Sequence, residues 1–231
     1  MNNTHEIGGW HCLIDDKSLP HNLEKLKGKS LICYQALEIF SAMGMCRNFR
    51  RAIDIGANYG LMSYHLSRNF QNVEAFELDP AVRECLIMNV KKHRLSNVNI
   101  HSYGCGSEYK KIKMLKMNDH SFSTRVDPIQ EGKSSDAEIV PLDMYDWDDV
   151  DLIKIDAEGF EGMIIQGGLK LIEKNRPIIL YEKKDAPLRA YGHHEFAPLE
   201  MLSFLGYRML IDLRKNGIMG PKQKIPVRIE E

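Results

Sequence analysis

A short apolar strand that runs straight into a glycine-bracketed turn, Ala52-Ile-Asp-Ile-Gly-Ala-Asn-Tyr-Gly60, is followed about twenty residues later by Val73-Glu-Ala-Phe-Glu-Leu-Asp-Pro80. Ile53 and Ile55 alternate with small or charged residues, the period of a strand, and Gly56 and Gly60 bracket a tight turn into a helix. Glycine lets a backbone come close to a ligand, and Asn58 tolerates the left-handed region better than most residues. The second run ends a second strand on Glu77, whose carboxylate suits a ribose diol. A strand, a glycine turn and a ribose-binding acid at this separation predict a nucleoside pocket at the carboxyl ends of two adjacent parallel strands.

Charge narrows the choice of nucleoside. A dinucleotide fold uses Gly-x-Gly-x-x-Gly with the pyrophosphate on the helix N-terminus. Here the spacing is Gly56-x-x-x-Gly60, and Asp54 sets a carboxylate just before the turn, with no Lys or Arg inside it. Such an anion repels a diphosphate and suits a cofactor carrying a sulfonium and an ammonium, which is S-adenosylmethionine. Asp54, Gly56, Ala57, Asn58, Gly60 and Glu77 are the expected cofactor residues of these two runs.

The chain has 231 residues, 43% hydrophobic and 27% charged, with a formal net charge of −1. That length and composition suit one globular domain with a sizeable core and a small extension before it. The expected division is a helical extension over residues 1–50 and a cofactor-binding domain over 51–231. The near-zero charge offers no general attraction to nucleic acid or to an acidic membrane. Cys12, Cys33, Cys46, Cys85 and Cys105 are scattered without CxxC spacing, against both a disulfide framework and a zinc site. No apolar run reaches the length of a membrane span and the polar start lacks a signal-peptide pattern, so the expected compartment is the cytoplasm.

Leu31, Ile32, Leu37, Ile39, Phe40 and Met43 predict an amphipathic helix that ends near Gly44. From Arg51 onward strands alternate with helices, the pattern of βαβ units and a mainly parallel sheet. Strands are expected over 52–55, 73–77, 98–103, 152–156, 178–182 and 207–212, and helices over 61–70, 80–94, 161–174 and 198–205. The segment 224–229 suits an edge strand or a closing hairpin. Asn118 to Asp136 is too polar for a core element and reads as a long loop, a lid candidate near the pocket mouth. It carries His120, Ser121, Ser123, Thr124 and Arg125 as possible substrate contacts.

A second strand-turn-helix, Leu152-Ile-Lys-Ile-Asp-Ala-Glu-Gly-Phe-Glu161, ends in carboxylates. Asp156 falls at the carboxyl end of its strand, where ligands of open α/β sheets gather. Glu158 and Glu161 follow at the turn, where an acid also stabilises the positive end of a helix dipole, and capping is the bland reading of Glu161. Glu182 ends the next strand, facing either the same crevice or a surface lysine. His193-His194 is adjacent rather than helix-spaced and reads as a polar loop pair.

DIGANYG, AFELDP, LIKIDAEGFE with a Gly-Gly pair shortly after, and PIILYE occur in the order and spacing of the FkbM-type methyltransferases. The chain resembles that family from about Arg51 to Glu182. The resemblance implies a Rossmann-like class I fold of the α/β class, with helices on both faces of a mostly parallel seven-stranded sheet whose last strand is antiparallel. It further implies methyl transfer, usually to oxygen. Asp54, Gly56, Asn58 and Gly60 would form the methionine-side loop and Glu77 would hold the ribose. Gly104-Cys-Gly-Ser107, Cys105 included, would lie along the adenine, with Asp156 near the reacting methyl. The chain departs from the family pattern at Leu78-Asp79.

The expected activity is S-adenosylmethionine-dependent O-methylation of a small molecule, with a saccharide or glycan hydroxyl as acceptor. Asp156, Glu158 and Glu182 are the candidates for a general base, or for oxygen ligands of a divalent metal. A nucleoside-binding module without turnover and a nucleic-acid methyltransferase are the competing classes. The second lacks an Asn-Pro-Pro-Tyr-type base-flipping motif and a basic aromatic stripe.

Overall fold

The computed structural model of the protein describes residues 4–27, 29–116, 124–126, 135–183, 197–213 and 215–222. The chain opens with a hairpin, β1 (Thr4–Ile7) and β2 (Trp10–Leu13), followed by α1 (Ser18–Lys25) and α2 (Ala36–Gly44). The βαβ rhythm then runs β3 (Arg51–Ile55), α3 (Leu61–Ser67), β4 (Asn72–Phe76), α4 (Pro80–Lys92) and β5 (Val98–His101). Four short strands come next: β6 (Gly104–Cys105), β7 (Lys110–Lys116), β8 (Thr124–Val126) and β9 (Ser135–Val140). The chain continues through β10 (Val150–Ile155), α5 (Glu161–Gln166), α6 (Leu169–Asn175), β11 (Ile178–Glu182), α7 (Ala197–Phe204), β12 (Tyr207–Asp212) and β13 (Asn216–Pro221).

Seven strands form one sheet in the order β12-β13-β11-β10-β3-β4-β5. All pairings from β11 to β5 are parallel, and β13 alone runs against its neighbours. The class I order with its antiparallel last strand is therefore present. Strand alternation sends Ile53, Ile55, Ile153, Ile155 and Ile179 into the core under α5, α6 and α7, and Ala52, Val73, Leu152 and Leu180 into the core under α2, α3 and α4. Burying both faces requires apolar residues at almost every strand position, which makes a buried charge in these strands conspicuous.

Several elements differ from the sequence expectation. The helix expected from Leu31 starts later: Leu31–Cys33 is a single 3-10 turn, and Gln35 at φ 50 breaks the path before α2 begins. The extension before β3 is also not purely helical, because it carries the β1-β2 hairpin. The helix expected over 161–174 is split into α5 and α6 by Gly167-Gly168. Gly167 packs so closely on the Gly106 carbonyl that a Cβ there would lie 1.9 Å from its oxygen. The polar stretch near Asn118–Asp136 is not all loop, since β6, β7, β8 and β9 form a four-stranded sheet of order β6-β9-β7-β8. Its apolar alternates Ile112, Met114, Val126 and Ile139 join the core beside β4 and β10. β13, missed at the sequence level, fills the gap between β11 and β12. His120, Ser121, Ser123, His193, His194 and the segment 224–229 lie outside the described residues.

Candidate functional site

Where β3, β4 and β10 end, their loops converge on an open cleft, at the carboxyl ends of the strands where open α/β sheets bind ligands. Local backbone chemistry builds its floor. The Gly56 and Ala57 N–H groups both donate to the Phe76 carbonyl, at 3.1 and 3.0 Å, and Asp156 N–H donates to the Ile55 carbonyl at 3.1 Å. Gly56 has φ 73, and a Cβ there would lie 1.9 Å from the Asp156 carbonyl oxygen. The close approach that this glycine permits is therefore first of all to the neighbouring loop, locking the DIGAN turn to the DAEG turn. Asn58 is left-handed, as its residue type allows, at φ 50.

Gly56, Ala57, Asn58, Glu77, Cys105, Asp156 and Glu158 line this cleft together. Glu77 is 8% exposed. Its Oε2 accepts the Asn58 N–H at 2.8 Å and its Oε1 accepts the Asp79 N–H at 2.9 Å. Burial nevertheless dominates these two bonds and pushes the carboxyl up to about 7. Each oxygen keeps a lone pair for a further donor. Phe76, Leu78, Ile139 and Phe160 supply flat or branched apolar wall beside it. Cys105 is buried, and burial raises its thiol far above the ordinary range, which makes it wall rather than nucleophile.

Asp54 and Gly60 do not line the cleft. Gly60 turns the chain into α3 at φ 90, where a Cβ would lie 2.7 Å from Leu86 Cδ1. Asp54 is fully buried behind the loop. The β3-β10 register sets Lys154 beside it, and the ammonium stands 3.1 Å from Asp54 Oδ1, while Ser63 Oγ donates to Oδ2 at 2.6 Å. Its negative charge is therefore met by protein, which corrects the expectation that Asp54 itself faces the ligand. Lys154 Nζ also donates to the carbonyls of Gly56 at 2.8 Å and Ile55 at 3.2 Å. Burial works against its charge, but Asp54, Asp156 and Glu182 outweigh that, and the pKa of the ammonium is raised.

The expected catalytic carboxylates come together. One oxygen from each of Asp156, Glu158 and Glu182 lies within 4.8 Å of the others. Asp156 and Glu158 stand on the cleft wall, and Glu182 on a second pocket that adjoins it. Glu161 braces the turn before α5 rather than capping the helix: Oε1 accepts the Ala157 and Gly159 N–H groups, both at 3.1 Å, and closes the turn that presents Asp156 and Glu158. Glu158 sits in the left-handed region at φ 54, a strained backbone of the kind found where side chains are aimed at ligands. Val126 of β8 also reaches the cleft, so part of the expected lid segment does border it.

Sequence reasoning missed two residues. Lys154 is legible in hindsight as a lone charge inside an apolar strand, Leu152-Ile-Lys-Ile, beside a strand carrying Asp54. Tyr34 lines the cleft from the segment before β3, and no strand or turn motif announces it.

The sequence profile of the methyltransferase FkbM domain matches residues 54–209. The chain belongs to that family. The FkbM match begins at Asp54 and spans every strand-end loop of the cleft. No curated protein matches the chain by sequence. Among solved structures, this FkbM domain is similar to the methyltransferase FkbM from Methylobacillus flagellatus, with TM-score 0.51 and 16% identity over 76% of this chain and 44% of that one. The chain thus spans less than half the length of that protein. It is also similar to an S-adenosylmethionine-dependent O-methyltransferase from Thermotoga maritima, with TM-score 0.50 and 14% identity over 89% of this chain and 71% of that one. A Streptococcus mutans protein solved with S-adenosylhomocysteine has TM-score 0.50 and 10% identity over 79% of this chain and 93% of that one. At these identities the likeness is one of fold.

Proposed function

We propose that the protein is an S-adenosylmethionine-dependent O-methyltransferase whose acceptor is a small-molecule hydroxyl, a saccharide or glycan. The observation that carries this reading is the carboxylate cluster of Asp156, Glu158 and Glu182, of which Asp156 and Glu158 line the same cleft as the buried Glu77. Residues on the wall fit the cofactor in kind. Glu77 keeps acceptor capacity for a ribose diol, the Gly56-Ala57-Asn58 turn, whose N–H groups are already bonded within the protein, offers carbonyl acceptors to the methionine ammonium, and Phe76, Leu78, Ile139 and Phe160 suit an adenine ring. When bound, S-adenosylmethionine supplies a methyl group on a positively charged sulfur.

The work left to the chain is positioning and proton management. A sugar hydroxyl has a high pKa, so a nearby carboxylate that accepts its hydrogen bond makes the oxygen a better nucleophile. Asp156, on the cleft wall with a carboxylate oxygen within 4.8 Å of one from Glu182, is the first candidate. The same oxygens suit a hard divalent cation, and chelator titration of the active protein decides between a bare carboxylate base and a metal-assisted one. Asp156→Asn is expected to abolish transfer of labelled methyl to sugars while S-adenosylhomocysteine affinity stays within about tenfold. Undiminished transfer by that variant removes Asp156 from the mechanism. Cofactor binding without transfer to any hydroxyl supports the binding-module class instead.

A further inference from the structure

We propose that the second pocket, formed by α1, α2 and the β11-β13 edge, is the acceptor subsite for a neutral polyhydroxylated molecule, and that Tyr34 positions the reacting hydroxyl over the carboxylate cluster. This rests on the methyltransferase reading above and assigns where the acceptor sits and what holds it. Tyr34 and Gln35 line both cavities, so the two are joined at that point, and Glu182 of the carboxylate cluster lines the second one. The phenol of Tyr34 is electrostatically coupled to Asp156, Glu182 and Lys154 and is hydrogen-bonded by the Asn22 side chain. Burial first, and the two carboxylates after it, push that phenol up to about 12, so it stays a proton donor where the carboxylates accept.

The chemistry of the second pocket fits a polyol better than a lipid or a nucleic acid. Asn22 and Asn216, both largely buried, bring amides that donate and accept, and Glu38 and Glu182 bring acceptors. A sugar hydroxyl also donates and accepts. Leu26 is the one aliphatic hydrocarbon side chain among the described residues of this lining, too little for an apolar acceptor. Among the described residues of the lining, the ammonium groups of Lys25 and Lys215 are matched in number by the carboxylates of Glu38 and Glu182, with no excess of cations to favour a phosphate backbone.

The test uses the full chain saturated with S-adenosylhomocysteine and a panel of methyl glycosides, free mono- and disaccharides and simple aliphatic alcohols. Binding is read by saturation-transfer-difference NMR, and methyl transfer separately with labelled S-adenosylmethionine. Expected is binding of at least one sugar. Tyr34→Phe should lower kcat for it at least about tenfold, with S-adenosylhomocysteine affinity within about twofold. Asn22→Leu should raise its KM, and Glu38→Trp, which fills the mouth from the half-buried face of α2, should abolish the NMR signal even if Asn22→Leu fails to fold. Sugar binding and transfer that ignore Tyr34→Phe and Glu38→Trp overturn the subsite while leaving the function reading intact. Binding of aliphatic alcohols alone overturns the polyol assignment. Absence of S-adenosylhomocysteine binding by the unaltered protein overturns the function reading, and this inference with it.

Discussion

Two residues hold the DIGAN turn in place by different physics, and each can be tested singly. Lys154 is a buried cation that pairs with Asp54 and clamps two loop carbonyls. Removing one partner of such a pair leaves an uncompensated buried charge, which costs about 3–5 kcal/mol. Lys154→Met is therefore expected to destabilise the fold by that order in urea denaturation, and Lys154→Met combined with Asp54→Asn to recover most of the loss, because the second change removes the stranded anion. A double variant as unstable as the single one would show that the loop clamp, not the charge pair, dominates. Gly56 acts sterically. Gly56→Ala meets both a positive φ and the Asp156 carbonyl, so the two loops must part. The expected outcome is a lowered Tm together with at least about tenfold weaker S-adenosylhomocysteine binding by calorimetry, whereas Gly60→Ala, although it also meets a positive φ, presses on the movable end of Leu86 rather than on backbone, and should lower Tm while retaining more affinity.

Among elements, the β1-β2 hairpin is tied to the DIGAN turn through buried side chains: the Tyr59 hydroxyl accepts the Leu13 N–H at 3.4 Å, and Asn89 makes a larger set of bonds. Asn89 of α4 exchanges two hydrogen bonds with the His11 backbone, at 2.7 and 3.0 Å, and donates to the Tyr59 carbonyl at 2.9 Å. Asn89→Leu keeps the volume but leaves three backbone groups unsatisfied, a loss of about 1–3 kcal/mol for each group that water cannot reach. Amide hydrogen exchange is expected to accelerate over residues 4–13 and 57–61 and to leave β10 and β11 unchanged; uniform acceleration would mean global rather than local loosening. Such a link is invisible in sequence, since an asparagine in a helix announces nothing about a hairpin so distant in the chain. What could be read were the elements whose apolar period matched their geometry: β3, β4, β10, β11 and the helices between them. β13 was missed because Asn216-Gly-Ile-Met-Gly-Pro carries the residues that normally argue against a strand. Gly217 is there because a Cβ would lie 2.7 Å from the Tyr181 ring, a tertiary demand. β7 was missed for the opposite reason: Ile112 and Met114 alternate correctly with Lys111 and Lys113, but polar neighbours on both sides masked so short a signal. The carboxylates of the site were legible because strand ends are predictable from pattern. Tyr34 was not, because its place depends on how the segment before β3 folds back over the sheet.

For the whole molecule, Glu77 and Glu161 make stability and cofactor binding depend on pH in linked ways. Both carboxyls are raised by burial from 4.5 to about 7, against the N–H donors that would lower them. Between those values the folded chain holds more protons than the unfolded one, so the stability these groups contribute is fully present below about pH 4.5 and is lost as pH rises through about 7. Carboxylates with depressed pKa, such as Asp136 and Asp146 beside their lysines, act in the opposite direction, but both are exposed and weak. His65 and His93, whose imidazoles burial holds below the ordinary range, contribute in the opposite direction over part of the same interval, so the acids are read by difference: the Tm of the ligand-free protein relative to that of Glu161→Gln should fall between about pH 5 and pH 8. On the proposed reading ribose hydroxyls donate to the ionised form of Glu77, so a bound nucleoside would lower its pKa and expel a proton. Titrating S-adenosylhomocysteine near neutral pH in buffers of different ionisation enthalpy should therefore show release of a fraction of a proton per molecule bound. Affinity should rise with pH until Glu77 is ionised. Glu77→Gln cannot release that proton, and its binding should be weaker and independent of pH over the same interval. A wild-type affinity that falls as pH rises would place the ribose elsewhere in the cleft.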